Sequence, residues 1–199
     1  MMTQDLNLIL DLARRSLANS CGMEIIMTDR KVKDMTQITM MVVIITICSW
    51  ISIPLTVPIT MQTFAVFFAV KVLGGCKGTC AILIHILLGM VGVPVFAGFK
   101  AGLGHIVGPT GGYLLGFIIA GLFFWLMKKI VKKPKLDIVW MIIGLLLCYA
   151  FGTVWFSIAF AGSKGLGEIL MLCVVPFVIP DVIKLVAADV LGGRIARII

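Results

Sequence analysis

Residues 170–193 read LMLCVVPFVIPDVIKLVAADVLGG. This stretch is long and apolar enough to cross a bilayer, yet it carries Asp181 and Lys184. A charged residue at membrane depth costs about 2.5–3.5 kcal/mol on insertion scales, so such a group usually faces a partner or a ligand. At a spacing of i, i+3 the two side chains share one helix face. Pro176 and Pro180 lie just upstream and remove backbone donors, the pattern of a broken helix that lines a cavity.

The rest of the chain has the same solvent preference. Of 199 residues, 61% are hydrophobic, and the mean hydropathy is +1.16. That balance excludes a soluble domain, a disulfide scaffold and a nucleic-acid binder. Six apolar segments can be marked: Met35–Ile53, Ile59–Leu73, Thr79–Val93, Gly112–Val131, Ile138–Ala161 and Ile169–Leu191. The second and third are short for a full span and need tilt or flanking residues. The expected fold is therefore an all-α integral membrane six-helix bundle over residues 35–199.

The net charge of +8 acquires meaning by position. With the N-terminus inside, twelve basic residues fall on the inner side: Arg30, Lys31 and Lys33, then Lys71 and Lys77, then Lys128, Lys129, Lys132, Lys133 and Lys135, then Arg194 and Arg197. Only Lys100 and Lys164 fall outside. This asymmetry follows the positive-inside rule and places both termini in the cytoplasm. An odd number of spans breaks it.

Residues 1–34 differ in character. They hold as many acids as bases, and Leu6, Ile9, Leu10, Ala13 and Leu17 fall on one helical stripe. The expectation is an N-terminal extension, either a short amphipathic helix on the membrane surface or a weakly ordered segment. It lacks the apolar run of a signal peptide.

Two outer loops are candidates for chemistry. The loop between the third and fourth segments reads GMVGVPVFAGFKAGLGHIVGPTGGY (89–113). Its glycines permit close backbone approach, and Val95, Phe96 and Phe99 supply apolar cover. It reads as a lid over an external pocket, with a flexible connector as the alternative. The first outer loop, SIPLTVPITMQTF (52–64), delivers Gln62, a neutral donor and acceptor, near the outer face. Gly111, Gly112 and Gly116, with Ala65 and Ala69, allow close helix packing, within the bundle or against a partner.

No reading of an enzyme emerges. His85 and His105 lack a second ligand at metal spacing, and His85 reads as a hydrogen-bonded core residue. Cys76 and Cys80 lack the His or Cys pair that completes a tetrahedral site. No nucleophile–base arrangement and no phosphate-cradling loop is visible.

Three of these segments, VGVPVFAG (91–98), VGPTGGYLLGF (107–117) and VPFVIPDVIK (175–184), together resemble BioY, the biotin-specific substrate-binding S component of energy-coupling factor transporters. The resemblance covers roughly residues 37–195. It implies a multi-pass protein of the bacterial plasma membrane that captures biotin from outside. It also implies partners: a transmembrane coupling subunit and two cytoplasmic ATPases, with no cofactor and no metal. The family's carboxylate and lysine map onto Asp181 and Lys184. Its glycine-rich loop maps onto Gly98–Gly104, with Lys100 at the basic position, although GFKAGLGH holds fewer consecutive glycines than many members.

Biotin's groups suit these residues. Asp181 is expected to accept from the ureido N–H groups. Lys184 would keep Asp181 ionised and donate to a ligand oxygen, and Lys100 would meet the valerate carboxylate. Gln62 and Gly98 complete the polar contacts, and Phe96, Tyr113, Phe64 and Trp155 would cover the ring. Two other readings remain open: an S component for another vitamin such as riboflavin or thiamine, and a proton-coupled small-solute transporter using Asp181 as a relay.

Overall fold

The computed structural model describes residues 30–54, 57–131, 133–160 and 165–198. The chain divides into two compact units, Met1–Gln37 and Ile38–Ile199. The expected amphipathic helix over Leu6–Leu17 lies outside the described residues, as does Lys164.

Eight α-helices occur among the described residues. Helix α1 runs Arg30–Trp50. It is followed by α2 (Gln62–Val72), α3 (Gly75–Val91), α4 (Leu103–Val107), α5 (Gly111–Ile130), α6 (Asp137–Phe160), α7 (Leu166–Cys173) and α8 (Val175–Ile195). Four stretches are long and apolar enough to cross a membrane: α1, α5, α6 and the combined Gly167–Ile195. Helices α2 and α3 are apolar but shorter.

Helix α2 shows why a short apolar segment still forms. Ala65 and Ala69 have no exposed surface, and Val66, Phe67 and Val70 are each 1% exposed. A helix buried on all sides needs no polar face, and its stability comes from packing rather than propensity. It contacts α3, α5 and α8.

Glycine sets the distance between α5 and α6. A Cβ on Gly112 would lie 2.4 Å from the Trp155 Cβ, and one on Gly116 would lie 2.9 Å from the Cys148 Sγ. On the facing helix, a Cβ on Gly152 would lie 2.4 Å from the Tyr113 ring. The small residues are thus used for packing inside the bundle, one of the two uses their spacing allowed.

The last apolar stretch is broken, as its prolines predict. Helix α7 ends at Cys173, and Val174 takes φ −125° and ψ −54°. Pro176 sits in the first turn of α8, where its missing N–H is harmless, and Pro180 lies inside the helix. Asp181 is the middle residue of the 29-residue stretch Gly167–Ile195.

Charge gathers at one end of the bundle. Asp137, at the start of α6, accepts from Lys71 at 3.0 Å and from Lys128 at 2.9 Å. Lys71 also reaches Asp189 of α8 at 2.5 Å. One network thus ties the ends of α2, α5 and α8 to the start of α6. The Asp137 side chain is only 4% exposed, so Asp137→Ala leaves Lys71 and Lys128 without their shared acid. The expected loss of stability is about 3 kcal/mol, the low end for a broken buried pair because Lys128 is partly hydrated. A fall in the melting temperature of the purified protein in detergent reads it directly.

Candidate functional site

At the opposite end, the chain after α1 folds into a short ladder. Strand β1 (Ser52–Ile53) pairs antiparallel with β2 (Ile59–Thr60), with Ser52 opposite Thr60. The ladder leads straight into α2 and places Gln62 at the top of that helix.

The glycine-rich segment is ordered and anchored. Helix α3 ends on Gly92, whose φ of 110° only glycine adopts without strain. The chain then returns: Gly102 N–H donates to Gly89 O at 2.7 Å, and Phe96 N–H donates to Lys100 O at 3.0 Å. Helix α1 holds it from the side. Trp50 Nε1–H donates to Pro94 O at 2.9 Å, Ser49 Oγ donates to Val95 O, and Phe99 stacks on Trp50 at 4.7 Å. The segment is thus held both by α1 and by its own backbone.

Beneath this cover lies a cavity that the segment helps to line through Phe96, Ala97 and His105. Much of its wall is apolar, from Phe96, Leu114, Phe117, Leu145 and Phe177. Its polar groups include Gln62, His105, Tyr113, Tyr149 and Asp181, with Thr60, Thr63 and Thr110 beside them. A second cavity adjoins it. Ala97, His105 and Thr110 line both, and Gly98 and Lys100 line the second.

Asp181 is the charged group in the inner wall. Its Oδ1 accepts from Lys184 Nζ at 2.8 Å, and its Oδ2 accepts from the Tyr149 hydroxyl at 2.7 Å. The carboxylate side chain is 4% exposed. Two donors pin the group, while a carboxylate has about four acceptor positions, so it retains capacity toward the cavity. Lys184 stands behind it. Its Nζ donates also to Thr60 O at 2.8 Å, and the residue is absent from the cavity wall. The ion pair is the arrangement that the first of the two roles expected for Lys184 requires, and the bond to Thr60 O ties α8 to β2.

The other expected site residues divide. Gln62, Phe96 and Tyr113 line the inner cavity with Asp181. Lys100 and Gly98 lie at the adjoining outer one. Phe64 and Trp155 do not line the cavity. Phe64 stacks on Phe68 at 5.6 Å, and Trp155 packs over Gly112 while its Nε1–H donates to Gly108 O at 3.2 Å. Their rings serve packing, because the sides of α2 and α6 that carry them turn elsewhere.

Two residues joined the site without a sequence signal for it. Tyr149 lies 32 positions from Asp181, and only the packing of α6 on α8 brings them together. His105 stacks on Phe96 at 5.0 Å and shares a hydrogen bond with Thr110 at 3.3 Å. Burial, and after it the charge of Lys100, holds its imidazole below the usual histidine pKa, which favours the neutral form. His85 is the hydrogen-bonded core residue its sequence context suggested, with no exposed surface.

The model of the BioY family matches residues 19–199. The match therefore takes in residues 19–34, upstream of the stretch 37–195 over which the motifs carry the resemblance. A probable biotin transporter BioY of Pyrococcus horikoshii is 36% identical over 166 residues, 83% of this chain and 97% of the relative. The biotin transporter BioY of Thermotoga maritima is 39% identical over 78% of this chain and 90% of the relative. The crystal structure of an S-component for biotin from an ECF-type ABC transporter superposes with a TM-score of 0.76. It is 25% identical, over 85% of this chain and 93% of that one.

Proposed function

The chain belongs to the BioY family, and from that membership we propose that it is the biotin-capturing membrane subunit of an energy-coupling factor transporter. It is a transporter component and not an enzyme. The observation that carries the biotin reading is Asp181: one buried carboxylate, held from behind by Lys184, in the wall of a largely apolar cavity.

Biotin carries two ureido N–H donors, an apolar bicyclic ring and chain, and a terminal carboxylate. Asp181 offers acceptors for the donors. Phe96, Phe117 and Tyr113 cover the ring. Lys100, in the adjoining outer cavity, supplies a cation for the carboxylate. The ligand then lies with its head against α8 and its tail under the glycine-rich lid.

The same reading orients the protein. Six crossings, with α7 and α8 forming the last, place both termini in the cytoplasm. The Asp137 network then marks the inner face, where basic residues concentrate, and the lid marks the outer one. A binding subunit of this size takes its energy from elsewhere. A transmembrane coupling subunit and two cytoplasmic ATPases would supply it.

Titration calorimetry of the purified protein is the direct test. Biotin should give saturable one-site binding, while riboflavin and thiamine should give none. Equal binding of the three, or binding of either rival alone, removes biotin as the substrate.

A further inference from the structure

We propose that His85, a residue outside the cavity, sets the specificity of the site by fixing which end of the Gln62 amide faces the ligand. The inference rests on the biotin reading and extends it.

Thr46 on α1 has a single hydroxyl hydrogen, and it is donated to Val42 O at 2.8 Å. The same oxygen lies 3.1 Å from His85 Nδ1. With its hydrogen committed, Thr46 Oγ1 acts toward the ring as an acceptor, so Nδ1 carries the imidazole proton. His85 Nε2 is then a bare acceptor. It lies 3.3 Å from Gln62 Nε2, and only an amide N–H satisfies it.

Gln62 must therefore turn its NH₂ toward His85, and its carbonyl Oε1 is left for the cavity that the residue lines. The relay is enclosed: His85 has no exposed surface and Gln62 is 5% exposed, so water does not compete. Phe96 closes the ring from the side, edge-on at 5.8 Å. The cavity thus presents two acceptors on different helices, Asp181 on α8 and the Gln62 carbonyl on α2. A ureido group presents two N–H donors, and each finds its own acceptor. His85 is a positioning residue: it does not touch the ligand, but its tautomer decides whether Gln62 accepts or donates.

Two measurements on the full-length protein in detergent test this. Nitrogen-15 NMR reads the tautomer without any substitution at the relay. The chain has two histidines, and a His105→Gln sample identifies the His85 signals by subtraction. A protonated Nδ1 and a bare Nε2 are expected, and the reverse overturns the proposal. The second measurement is a double-mutant cycle read by biotin calorimetry. Thr46→Val removes the acceptor that fixes the tautomer, and should weaken binding about tenfold, the scale of one hydrogen bond. Gln62→Leu should cost at least as much. In the Gln62→Leu background, Thr46→Val should cost nothing more, since no amide remains to orient. A Thr46→Val penalty of the same size in both backgrounds means a purely structural role and overturns the proposal. Wild-type binding of biotin decides the biotin reading separately from either result.

Discussion

Asp181→Ala is expected to reduce biotin affinity at least a hundredfold. Three losses combine. The ligand loses a charged acceptor, worth about 1.5–3 kcal/mol for a hydrogen bond to an ionised group. Lys184 keeps only Thr60 O as a partner, and the Tyr149 hydroxyl loses its acceptor. A buried cation stripped of its counter-ion costs about 3–5 kcal/mol, so the apo protein is destabilised too. The two effects separate in a double variant. Asp181→Ala with Lys184→Met removes both charges and replaces the amine by an apolar group of similar length. Thermal stability should return toward that of the wild type, because swapping a whole buried pair for apolar groups is often neutral. Biotin binding should stay lost. Recovery of both stability and binding in the double variant would mean that the pair is structural and that biotin is held elsewhere.

The sequence was informative where a local pattern carried the physics. Apolar runs bounded by basic residues marked α1, α5, α6 and the α7–α8 stretch within a few residues of their observed ends. Pro176 announced the break at Val174, because proline acts on its own turn of chain, whereas Pro180 lies inside α8 without ending it. The pairing of Asp181 with Lys184 was legible for the same reason, as two residues three positions apart. Side-chain direction on a helix buried all round was not legible. Helix α6 is apolar on every side and carries no period that separates Tyr149, which faces the cavity, from Trp155, which does not. Phe64 and Phe68 on α2 presented the same ambiguity. The hydrogen bonds from Thr46 to His85 and from His85 to Gln62 span 39 and 23 residues, and depend on how three helices pack. Hydropathy holds no record of such distances.

Gly89→Leu is expected to close the site from the end that Phe96 covers. Gly89 lies one turn before the end of α3, and the Phe96 ring rests on it. A Cβ there would lie 2.0 Å from the ring's Cζ. Phe96 has no exposed surface and cannot swing into lipid or water. Its faces are also occupied, by His105 stacked at 5.0 Å and His85 edge-on at 5.8 Å. The open direction is the cavity that Phe96 already lines. Overpacking of this kind costs about 1–3 kcal/mol of stability. The larger effect falls on binding, because the displaced ring occupies ligand volume, and a loss of about a hundredfold in biotin affinity is expected, about 2.7 kcal/mol. The second substitution Phe96→Ala removes the ring that the leucine displaces. It should restore part of the affinity in the Gly89→Leu background, whereas alone it should weaken binding by removing ring cover. Calorimetry on the four proteins of this cycle gives the sign of the coupling. Additive losses would show that Gly89 acts through the turn at Gly92 rather than through the ring.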